Sequence, residues 1–271
     1  MIRRTNLKLA INLSYITGFL ALLVSLISVF SGEFYYLFVS EARVATYQGQ
    51  DLLTLVSVPI FYWVVYLAKN GSARGLFIWM AILTYYLYIN AAYAFNGIYS
   101  DLFLFYITII STSFFSIIRL THSIDYEVLL NMYSKKKPEK IIAIFFILIA
   151  LIQAIIWVSI INQQMSANEP AAANAIYVID LAFLLPTFML SAYWLWRKHL
   201  AGYIISPVLL IFTFIYGLAL ISGQIFKNFR QVEYHALPTY ILIIFTFIAL
   251  GLSLVFLNSR ENKVRKSAKK K

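Results

Sequence analysis

The chain has no cysteine, three histidines and 11 acidic residues among its 271. Without cysteine there is no disulfide, no thiolate metal ligand and no cysteine nucleophile. Charged residues make up 12% of the chain, against about 25% in a typical soluble domain. No H-E-x-x-H, G-x-S-x-G, phosphate-binding loop or dinucleotide fingerprint occurs, so the motifs of zinc proteases, serine hydrolases and nucleotide enzymes are missing. No lysine falls in the middle of an apolar run, which leaves a retinal Schiff base unsupported.

What is present is apolar: 62% of residues are hydrophobic and 17% aromatic. The apolar residues come in eight blocks, at 8–31, 52–68, 76–95, 102–119, 141–162, 174–195, 203–224 and 239–257. A helix crossing ~30 Å of hydrocarbon needs about 20 such residues. Backbone polar groups in lipid must be satisfied within the segment, so the blocks are read as helices. The expected fold is all-α: one polytopic transmembrane helix bundle of eight helices over residues 1–258. The first block resembles a signal peptide at its start, but its apolar run is long and no clear cleavage site follows, so it reads as a retained helix. No 20–50-residue repeat is evident. Residues 259–271 form a basic tail without aromatics, expected to be disordered.

Eight crossings place both termini on one side. Three basic residues lie at the N-terminus (Arg3, Arg4 and Lys8), two follow helix 2, five lie in the loop after helix 4, two follow helix 6 and seven sit in the tail, which is 19 of 22. Arg43, Lys227 and Arg230 remain on the other side. The positive-inside rule then puts both termini in the cytoplasm of an inner (cytoplasmic) membrane. Topology accounts for the net charge of +11 better than nucleic acid does. The segment 121–137 carries Ile124, Val128, Leu129 and Met132 at helical spacing and is expected to lie along the membrane surface.

In this topology the polar residues collect in the outer half. Tyr86, Asn90 and Tyr93 share one face of helix 3, and Asn96 and Tyr99 continue it. Asp101, Thr108 and Thr112 mark helix 4, Gln153 helix 5 and Gln224 helix 7. Asp51 and Thr54 open helix 2, where Asp51 also suits a helix N-terminal carboxylate that favours the dipole. Asp180, in "NAIYVIDLAFLLP", is two turns into helix 6 with Tyr177 one turn above it. Pro186 is expected to kink that helix or free a carbonyl. A carboxylate at that depth is costly unless it is hydrated, paired or protonated, and intramembrane acids mark functional sites. The bland reading is a structural carboxyl bonded to a neighbouring helix.

His122 and His199 fall on one side and His235 on the other, so they cannot share a metal. Trp194 and Trp196 suit interfacial anchors. Outer acidic residues (Glu33, Glu41, Asp51, Asp101, Glu169 and Glu233) outnumber the three basic ones there. His235 and Glu233 are read as ordinary loop residues.

The runs "GQDLLTLVSVP", "KNGSARGLFIWMAILTYYLYINAAYAF", "YSDLFLFY", "DLAFLLP" and "AGYIISPVLL" resemble an uncharacterised group of bacterial multispanning integral membrane proteins. The resemblance covers 48–118 and 177–210. Its positions include Gly49, Gln50, Asp51, Gly71, Ser72, Tyr85, Tyr88, Tyr93, Asp180, Pro186 and Gly202. It implies a complete membrane unit and carries no activity or substrate.

The leading expectation is a polar cavity open to the outside and lined by helices 2, 3, 4 and 6. Asp51, Tyr86, Asn90, Tyr93, Tyr177 and Asp180 would bind or transport a small polar or cationic solute, with Asp180 as the ion- or proton-linked group and the tyrosines offering aromatic faces. Two alternatives stand beside it: a noncatalytic membrane subunit or assembly factor with a membrane-protein partner, and a membrane enzyme acting on a lipid or lipid-linked substrate. No catalytic residue, metal or cofactor is assigned. The expected partners are the bilayer and a small-molecule or ion ligand, and nucleic acid is not expected.

Overall fold

The computed structural model describes residues 7–31, 35, 37–125, 138–167, 174–232 and 236–258. Glu33, Glu169, Glu233, His235, most of the expected surface segment 121–137 and the basic tail lie outside the described residues. Within them the protein is a bundle of helices: α1 (Leu7–Phe30), α2 (Glu41–Lys69), α3 (Ala73–Phe95), α4 (Phe103–His122) and α5 (Glu139–Ala167), followed by α6, α7 (Leu200–Phe229) and α8 (Ala236–Asn258). The α6 helix runs through three stretches, Asn174–Ile179, a π-helical turn Asp180–Leu184 and Leu185–Trp196. All eight are long and apolar enough to cross a membrane. The chain is a multi-pass membrane protein.

Arg74 Nη2 donates to Asn258 Oδ1 at 3.0 Å, which ties the start of α3 to the end of α8. Leu7 borders the same crevice as Lys69 and Asn70. Both described ends of the chain therefore share one end of the bundle, here the terminal end; the opposite end is distal.

The helices form two groups. In the first, α1 and α3 each pack on both α2 and α4. The buried face of α1 is a row of small residues, Ser14, Thr17, Gly18, Ala21, Ser25 and Ser28, which lets neighbouring backbones approach closely. In the second, α7 packs on α2, α3, α6 and α8, while α5 packs on α6. The α3 helix sits where the groups meet and is the most buried of the eight.

The largest departure from the sequence expectation is α2. It begins at Glu41 rather than 52. Its first turns, EARVATYQGQ, are too polar for a lipid-facing span, yet Val44, Ala45, Tyr47, Gln48, Gly49 and Gln50 are buried. Hydropathy marks helices that face lipid, whereas this one is held by protein. Gly49 explains the closeness: a Cβ there would lie 2.4 Å from the Gly223 backbone nitrogen of α7. At the terminal end α2 stops at Asn70 and Gly71, whose φ of 94° suits a residue without a Cβ. Ser72 then caps α3 by accepting from the Gly75 N–H at 3.1 Å.

Candidate functional site

The two buried carboxylates among the described residues, Asp51 and Asp180, lie on opposite sides of α3. On one side, Asp51 sits in the third turn of α2. It is therefore a mid-helix side chain, which corrects the helix N-terminal role expected for it. The Tyr35 hydroxyl, from the α1–α2 connection, donates to Asp51 Oδ2 at 2.6 Å, and Tyr93 donates to Oδ1 at 3.1 Å. Ser28 Oγ lies 3.0 Å from the Tyr35 hydroxyl. The expected stripe on α3 does face α2, but it fills the interface. Tyr86 meets Ser57 Oγ at 2.8 Å, Tyr85 donates to the Gln50 carbonyl at 3.0 Å, and Asn90 Nδ2 donates to the Tyr86 carbonyl at 2.8 Å. Asp51, Tyr86, Asn90 and Tyr93 are all buried. Rings close the cluster, with Tyr47 and Tyr93 centroids 4.9 Å apart and Tyr93 and Tyr106 5.5 Å apart.

On the other side of α3, Asp180 opens the π-turn of α6. The Leu185 N–H bonds back to the Asp180 carbonyl, the i→i−5 pattern of a π-turn. Such turns recur at functional sites, and Pro186, lacking an N–H, follows directly. The Tyr88 hydroxyl donates to Asp180 Oδ1 at 2.7 Å, and Trp157 Nε1 donates to Oδ2 at 2.8 Å. The Tyr216 hydroxyl is 3.4 Å from that of Tyr88. Tyr177 packs its ring on Trp157, with centroids 4.7 Å apart, so it supports the carboxylate through the indole. Trp157 is thus a direct donor to Asp180.

Asp180 borders a cavity of about 570 Å³, within the ~300–1,000 Å³ range of small-molecule sites. Residues of α2, α5, α6, α7 and α8 line it, and none of α3 or α4 does. Of the six expected site residues, Asp180 alone is in its lining; Asp51, Tyr86, Asn90, Tyr93 and Tyr177 are not. The walls are mostly apolar, with Ile152, Ile156, Phe212, Ile241 and Phe245 prominent. Polar groups are few: besides Asp180 they include Arg43, Gln50, Gln153 and Tyr216. Phe245 of α8, in the lining, stacks on Phe145 of α5, with centroids 6.1 Å apart.

Tyr88, Trp157, Tyr216 and Gln50 stand here without having been expected as site residues; Gln50 and Tyr88 entered the sequence reading only as positions of the resemblance. Tyr88 is two positions from the Tyr86 face, about 200° around the helix, so it serves a different neighbour. Nothing in one sequence tells which face of α3 meets α6. No group of three or more metal-ligating side chains occurs among the described residues. No protein-family model, curated protein or solved structure matches this chain.

Proposed function

We propose that the protein binds an amphiphilic small molecule in the cavity between α2, α5, α6, α7 and α8, with Asp180 holding its polar head. The observation that carries this reading is a buried carboxylate at the border of a mostly apolar space. Tyr88 and Trp157 each occupy one of its oxygens. A carboxylate accepts about four hydrogen bonds, so capacity remains for an ammonium, hydroxyl or amide head. The wall composition favours a larger apolar body than the small polar or cationic solute expected from sequence. A noncatalytic subunit needs no internal space of this size. The neighbours of Asp180 are donors without a partner base, which gives the enzyme reading little support.

The same reading orients the chain in an inner membrane with the terminal end cytoplasmic. Its support is the clustering of 19 of the 22 basic residues on that side. The cavity then belongs to the outer leaflet.

Native mass spectrometry of protein extracted in mild detergent tests the site. Wild type should carry a co-purifying mass that Asp180→Asn loses at least about tenfold, equivalent to ~1.4 kcal/mol. Ile152→Trp, which fills the cavity, should abolish the adduct. Equal adduct in all three proteins would refute the proposal.

A further inference from the structure

A second crevice lies at the terminal end, far along the chain from Asp180 and independent of it. It measures about 530 Å³ and is lined by Leu7, Lys8, Ile11, Asn12, Tyr15, Lys69 and Asn70. Two ammonium groups reach it from different helices, Lys8 from the first turn of α1 and Lys69 from the last turn of α2. Two carboxamides, Asn12 and Asn70, add donors between them. Both lysines and both asparagines are exposed. Neither lysine has a hydrogen-bond or ion-pair partner among the described residues.

The charge here is uncompensated in sequence as well as in space. No acidic residue occurs from Met1 to Gly32 or from Leu52 to Ser100. These stretches supply all of α1, most of α2 and all of α3. No acidic side chain lines the crevice. A site with two cations, four amide-type donors and no carboxylate selects for anions.

The apolar half of the lining narrows the class. Leu7 and Ile11 form one wall, and Tyr15 stacks on Tyr62 with centroids 5.8 Å apart. Beyond them the surface of α1 and α2 turned away from the bundle carries exposed Phe19, Trp63 and Tyr66. A free phosphate has no use for such a surface, whereas a lipid lays its acyl chains on it. Basic pockets between transmembrane helices suit anionic headgroups in this way, and lysine stems lie along apolar surface with the ammonium at the headgroup level.

We infer that this crevice binds the phosphodiester headgroup of an anionic phospholipid, clamped by Lys8 and Lys69. The test is lipid titration of the purified full chain, followed by native mass spectrometry. The probes are phosphatidylglycerol, phosphatidylcholine and inorganic phosphate. Wild type should take up phosphatidylglycerol about thirtyfold more tightly than phosphatidylcholine, the scale expected of two interfacial cations. Lys8→Gln with Lys69→Gln should erase that preference without changing thermal stability, because both side chains are exposed. Arg197→Gln with Lys198→Gln removes the same charge at the same end, outside the crevice, and should keep it. Undiminished preference in the first pair, or equal loss in the second, overturns the site. Displacement of the lipid by equimolar inorganic phosphate would overturn its assignment to a lipid.

Discussion

Asp51 and Asp180 are chemically identical and buried to a similar extent, yet their surroundings give them different work. Asp51 is enclosed by tyrosines in a filled interface. Replacing it with leucine takes the carboxylate from the Tyr35 and Tyr93 hydroxyls and leaves them the neutral partners Ser28 Oγ at 3.0 Å and Gln50 Oε1 at 3.4 Å; losing buried hydrogen bonds to a charged group costs about 1–3 kcal/mol. Asp51→Leu should therefore lower thermal stability in detergent by roughly 2 kcal/mol or more, read as loss of the monodisperse peak after heating. Asp51→Asn should be milder, because a tyrosine hydroxyl can accept from the new amide. Asp180→Asn should also fold, with Oδ1 turned to Trp157, which can only donate, and the amide turned to Tyr88. A large stability loss in Asp180→Asn beside a small one in Asp51→Leu would reverse these assignments. That Asp180 is a buried carboxylate was legible in the sequence, because an acid two turns inside an apolar block is conspicuous. Its partners were not, since Tyr88 and Trp157 resemble the other aromatics along these helices.

At the scale of the helix, the crossing of α2 and α7 at Gly49 and Gly223 carries a sharp expectation. In Gly49→Ala the new methyl meets backbone at 2.4–2.5 Å, and backbone cannot rotate away as a side chain can. The helices must separate, at a cost of about 1–3 kcal/mol or more for overpacking. Gly251, in α8, has nothing within 4 Å of an added Cβ. Gly251→Ala should be neutral or slightly stabilising, by up to about 1 kcal/mol, from helix propensity. The two variants compared by thermal unfolding check the crossing, and equal behaviour would contradict it. The existence of each helix was legible from apolar block length. The early start of α2 was not, because hydropathy is blind to a polar helix buried by its neighbours. The π-turn at Asp180 left only Pro186 as a trace in sequence.

For the whole molecule, orientation can be read with thiol chemistry, since the native chain has no cysteine to interfere. On the proposed orientation Tyr99→Cys, at an exposed distal position, should react with a membrane-impermeant maleimide added to cells whose membrane is intact. Arg197→Cys, exposed at the terminal end, should react only after that membrane is opened. The reverse pattern would invert the topology. The eight-helix plan and the charge bias were visible in the sequence at this scale, whereas the division of the helices into two groups, and hence of Asp51 from Asp180, depends on contacts between distant segments. That division also has a history. The central helix α3 has the lowest mean hydropathy of the eight spans, so it is the one least able to remain in lipid alone. Its Tyr86 side meets α2 and α4, its immediate neighbours in synthesis. Its Tyr88 side waits for α6 and α7, which leave the ribosome much later. Chain order thus constrains assembly: the Asp51 cluster can close while the chain is still growing, whereas the walls of the Asp180 cavity are complete only once α8 has been made.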